Sequence, residues 1–201
     1  MKKFFSEHSY DMVKMFLNQF AISIFGVVLV FAGAQAESTL LKNATSIGAI
    51  LFYLFLLYTM TWEIGYRDRV AVEQGRKKKI AFKGTLISLC ANIPNFLFAI
   101  FILLAQMIEN GVLSKIGAVC GFLAMSLEGM YVGVLSNHVG GIPLNAYSFV
   151  YFLLPLPAML ICGIAYYLGL KDIKFTTLFD PITPESDRDP SEKKKGWRRR
   201  D

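Results

Sequence analysis

Asn92 and Asn95 flank Pro94 in an otherwise apolar stretch, three residues apart and so on one face of a helix. Proline has no N–H to give, so the carbonyl of Cys90 is predicted to lose its helical donor. Two carboxamides beside a freed backbone acceptor make a polar spot where apolar surroundings would strengthen contact with a solute or ion. Discontinuous helices build transporter sites in this way. The plainer alternative is structural: the amides bond across to another helix and Pro94 makes a tolerated kink.

Glu128 is the other candidate, because no basic residue lies within a helical turn of it. Inside a membrane it must be paired or protonated, and intramembrane carboxylates often mark proton or ion paths; near the outer surface, water solvates it instead. Asn92, Asn95 and Glu128 are therefore the expected substrate-binding residues. Asn18 and Gln19, early in the first apolar stretch, either join that site or sit at headgroup depth. Glu63 reads as structural, four residues before Arg67 and beside Trp62 and Tyr66, in an i,i+4 pair at the inner boundary.

Other chemistry is missing. Cys90, Cys120 and Cys162 have neither metal-ligand spacing nor a C-x-x-C pair, and each sits among apolar residues as a small hydrophobe. The two histidines, His8 and His138, fall on opposite sides of the expected membrane and cannot share a metal. No G-x-S-x-G, H-E-x-x-H or Walker A pattern occurs. The expectation is a protein that is not an enzyme and uses no metal or cofactor.

The elements that must position these residues follow from where charge is absent. Only 18% of residues are charged, and they gather in a few segments instead of spreading along amphipathic elements as in a soluble domain. Apolar stretches at about 15–34, 46–65, 84–105 and 147–170 each approach the ~20 residues that a hydrocarbon core requires. This predicts an all-α, polytopic integral membrane helical bundle over residues 1–170, the first span serving as a retained signal-anchor. The stretch 112–136 is interrupted by Lys115 and Glu128 and followed by the polar run Ser136–Pro143. A charge at the centre of a lone helix costs about 2.5–3.5 kcal/mol on insertion scales, so this segment is expected to be re-entrant or peripheral. Five spanning helices are the alternative.

Basic residues set the orientation. Three lie in the N-terminal segment, seven in 66–83 (including Arg76, Lys77, Lys78 and Lys79) and nine beyond residue 170 (including Lys193, Lys194, Lys195, Arg198, Arg199 and Arg200). Four spans keep all three groups, nineteen of 21 basic residues, on the cytoplasmic side, as Lys and Arg prefer. Five spans would expel the last nine. Residues 171–201 have the composition of a disordered basic cytoplasmic tail, and both basic clusters suit anionic lipid headgroups better than nucleic acid.

Pro155 and Pro157 predict a kink in the last span. Gly117, Gly121, Gly129 and Gly133 recur at multiples of four, two G-x-x-x-G steps expected to pack closely within the chain or against a membrane partner. The functional expectation is an accessory or binding subunit of a membrane complex; the alternative is a small-solute transporter or substrate-binding membrane component. Short loops point to a bacterial cytoplasmic membrane as the location.

Overall fold

The computed structural model describes residues 2–35, 38–76, 78, 80, 82–108 and 110–173. Lys77, Lys79 and the predicted tail from residue 174, with its basic cluster, lie outside the described residues. Eight helices follow one another: α1 (Lys2–Gln35), α2 (Thr39–Glu73), α3 (Lys83–Ala91), α4 (Ile93–Met107), α5 (Gly111–Leu127), α6 (Val132–Leu135), α7 (Val150–Leu153) and α8 (Leu156–Leu170). The all-α expectation needs one addition, a minimal hairpin of β1 (His138–Val139) and β2 (Ile142–Pro143). Its turn residues Gly140 and Gly141 both have positive φ, as a two-residue hairpin turn that follows strand twist demands.

Three segments, Phe4–Gly33, Thr39–Glu73 and Val150–Leu170, are long and apolar enough to cross a membrane. Two bent pairs would each add one span, to as many as five: α3 with α4, bent by 55°, and α5 with Gly129–Leu135, bent by 84°. The first helix starts about a dozen residues before the expected span, because its polar first turns are amphipathic. Met12 and Met15 are buried against the bundle, and the Phe4 ring lies 5.1 Å from that of His8. The predicted kink at Pro155 and Pro157 is the α7–α8 junction, which keeps one 21-residue apolar segment.

Local chemistry explains the boundaries. Ser38 Oγ accepts the N–H of Leu41 to begin α2, and Asn110 Oδ1 accepts that of Val112 to begin α5. At the end of α2, Gly75 takes φ 69°, its N–H bonds Val72 O and Arg76 N bonds Ala71 O, which satisfies the last carbonyls. Asp172 repeats this closure after α8, where its own N–H reaches Gly169 O and Ile173 N reaches Leu168 O. The end of α8 is fastened to α2 by Trp62 Nε1 donating to Ile173 O at 2.8 Å and by Arg69 paired with Asp172 at 2.8 Å.

These contacts define two ends of the bundle. The tail end holds Asp11, Arg67, Arg69 and Ile173. The hairpin end holds Gly33 against Lys42, Asn137 bonded to Asn43, and Gln106 bonded to Ala146. Both the start of α1 and residues 171–173 therefore lie at the tail end. Apolar residues such as Leu57, Ile87 and Met130 fill the core, but polar side chains share it and large apolar ones cover the outside. Gln19, Ser23, Ser46, Thr61, Asn92, Asn95 and Glu128 face inward, while Leu17, Phe31, Leu51, Phe55, Phe122 and Leu160 are each more than half exposed.

Candidate polar binding site

Glu128 sits where α5 breaks. Helix α5 descends from the hairpin end beside α4, with Gly117 in close contact with Ala105, and stops at Leu127. The chain then turns by 84° and climbs back along α1 and α2. Gly129 lies against Ser23, Met130 against Gly26, and Gly133 against Ser46 and Lys42. The segment thus leaves and regains the hairpin end with Glu128 at its apex.

A break of this kind frees backbone groups that cannot reach water, and side chains of the two long helices answer them. Ser23 Oγ accepts the N–H of Gly129 at 2.6 Å and donates to the carbonyl of Ser126. Ser46 Oγ donates to the carbonyl of Met130. These two serines went unremarked in the sequence because serine is ordinary in a membrane helix. Only the broken helix beside them gives them work.

The apex collects three elements. Glu128 is 3% exposed, and its Oε1 accepts from Gln19 Nε2 at 3.1 Å and from Asn95 Nδ2 at 2.9 Å. Asn95 Nδ2 also reaches Asn92 Oδ1 at 2.9 Å, and Asn92 Nδ2 donates to the carbonyl of Ser88 at 2.8 Å. The three predicted binding residues therefore belong to one network, and Gln19, near the middle of α1, joins it. Asn18 turns away to Met60 Sδ at 3.7 Å. Burial removes the alternative in which Glu128 is solvated at the surface. The carbonyl that the Asn92 amide reaches is not that of Cys90 but that of Ser88, one turn back in α3, which also accepts the Asn92 backbone N–H at 3.0 Å.

Two polar atoms here make no hydrogen bond among the described residues: Asn95 Oδ1 and the Tyr131 hydroxyl, in side chains 4% and 7% exposed. Tyr53 and Tyr131 both stand within electrostatic reach of Glu128. Among the described residues, no Lys or Arg pairs with Glu128. Helix α4 starts at the cluster and α5 ends there, so the termini of two helices flank the carboxylate.

A second polar cluster at the tail end corrects two readings. Lys83, counted with the exposed basic residues, is buried and bonds Asp68 Oδ2 at 2.6 Å, an oxygen that also accepts from the Tyr166 hydroxyl at 2.9 Å. Arg67 pairs across to Asp11 of α1 at 3.7 Å, and Glu63 is exposed instead of paired with it. Trp62 and Tyr66 do stack, 5.4 Å apart and nearly coplanar. Arg76 and Lys78 are exposed, as a basic surface requires. Among the described residues, no group of three or more His, Cys, Asp or Glu is placed to hold a metal.

The glycine repeat is not one face. Gly117 packs on α4, Gly129 on α1 and Gly133 on α2, while Gly121 has no atom within 4 Å of where its Cβ would stand. The break after Leu127 ends the helical register that would have aligned all four. Sequence reasoning overlooked Gly65 and Gly169, each of which meets backbone across the α2–α8 contact. No family model, curated protein or solved structure matches the chain.

Proposed function

We propose that this chain is a multi-pass membrane protein whose interior carries a binding site for a small solute that bears a positive charge or a transferable proton. Exposed apolar side chains around buried polar ones support insertion in lipid, where interhelical hydrogen bonds and close packing replace a hydrophobic core. In this reading α1, α2, α3–α4 and α7–α8 cross, and residues 111–137 dip in and return on one side. The tail end with its basic residues faces the cytoplasm. The position of residues 171–173 beside Arg69 and Trp62 supports an even number of crossings.

One observation carries the site: among the described residues, Glu128 is buried with amide partners and no cation, beside an acceptor and a hydroxyl that lack partners. An ionised carboxylate in that setting is costly until a counter-charge arrives, and a donor-bearing cation or a proton supplies one. The neighbouring Asn95 Oδ1 offers such a ligand a second acceptor. Of the glycines that a membrane partner could have used, Gly117, Gly129 and Gly133 pack inside the chain.

The test is a thermal-stability screen of the purified protein in detergent against simple amines, guanidinium and alkali cations, run on wild type, Glu128→Gln and Asn95→Ala. The expected result is stabilisation by at least one cation class in wild type, lost in Glu128→Gln while that variant stays folded. Stabilisation that persists in Glu128→Gln would overturn the assignment.

A further inference from the structure

A groove of about 400 Å³ runs between α3 and α8 on the outer surface toward the tail end. Phe82 and Thr85 form one wall, and Leu160, Gly163, Ile164 and Tyr167 form the other. Phe82 is 80% exposed and Leu160 66% exposed, so the walls are apolar and open sideways. From Tyr167 to Leu160 the groove spans about 10 Å at the helical rise of 1.5 Å per residue. At its tail-end mouth Lys171 holds its ammonium 4.6 Å from the centre of the Tyr167 ring, which forms part of the groove wall. Exposed Arg76 and Lys78 belong to the same end of the molecule, whereas Lys83 is neutralised by Asp68.

From this we infer that the α3–α8 groove is a binding site for an anionic phospholipid of the cytoplasmic leaflet, with one acyl chain along Leu160, Ile164 and Tyr167 and the headgroup phosphate on Lys171. The argument is complementarity at both ends. Hydrocarbon fills an apolar slot that no described residue covers. A cation on an aromatic ring at the slot's mouth, one turn beyond Tyr167, meets a phosphate at headgroup depth. The site rests on the membrane reading above.

The experiment is native mass spectrometry of the full chain released from mild detergent with phosphatidylglycerol or phosphatidylcholine of matched acyl chains. Wild type is expected to retain phosphatidylglycerol preferentially. Lys171→Gln should reduce that retention about fivefold, the factor for one basic residue at an anionic surface, and leave phosphatidylcholine unchanged. Lys171→Arg should preserve the preference, and Leu160→Trp, which fills the slot, should lower retention of both lipids. Equal retention of the two lipids by wild type, or an unaltered preference in Lys171→Gln, would sink the lipid site alone. Extraction of the chain from membranes by alkaline carbonate would defeat the membrane reading and this site with it.

Discussion

Asn95 Nδ2 lies 2.9 Å from Glu128 Oε1 across 33 positions of sequence, joining the first turn of one half-helix to the C-cap of another. The same amide serves Asn92 Oδ1, so its removal strips a donor from two acceptors at once. Asn95→Ala is therefore expected to cost about 1–3 kcal/mol, the range for a buried hydrogen bond whose partner is left unsatisfied. Denaturation by SDS from mild detergent measures this, and an unchanged midpoint contradicts it.

Gly129 and Gly121 make a matched pair. A Cβ at Gly129 would stand 2.6 Å from the carbonyl oxygen of Ser23, whereas one at Gly121 would meet nothing within 4 Å. Gly129→Ala must push the arm that follows the break away from α1 and is expected to destabilise by about 1–3 kcal/mol. Gly121→Ala gains helix propensity at no steric cost and should be neutral or stabilising by up to about 1 kcal/mol. The same denaturation assay ranks them, and the reverse order would refute the packing described.

Breaking the Asp68–Lys83 pair leaves a charge buried beside Tyr166. Lys83→Met alone is expected to cost about 3–5 kcal/mol, as for other buried pairs that lose one partner. Adding Asp68→Leu removes the other half of the pair and should recover more than half of that loss. A double variant no more stable than the single would mean that the pair is not the source of the effect.

Topology separates four crossings from five. Alkaline phosphatase inserted near Gly140 is expected to be active, and green fluorescent protein fused after Asp201 to fluoresce. Five crossings from a cytoplasmic N-terminus predict neither result, because they place Gly140 inside and Asp201 outside. Measuring both fusions in one strain settles which bundle forms.

Much of this was readable before any coordinates. Long charge-free runs predict the helices, because each peptide group removed from water must bond within its own segment. Pro94, Pro155 and Pro157 mark the breaks of the third and last segments because a missing N–H is a local property. The burial of Lys83 was not legible, for the opposite reason: nothing near it in sequence reveals that Asp68, 15 residues earlier, turns inward to meet it.

What the chain order alone determined is which residues avoid water and where helices start, bend and stop, since hydropathy, caps and prolines act over a few neighbours. What only the folded arrangement decided is that Gln19 reaches Glu128 across 109 positions, that the arm carrying Glu128 turns back toward the end it came from, and that three glycines serve three different contacts. Those outcomes depend on how helix surfaces fit together in three dimensions, and shape complementarity between distant segments leaves no periodic trace in a single sequence.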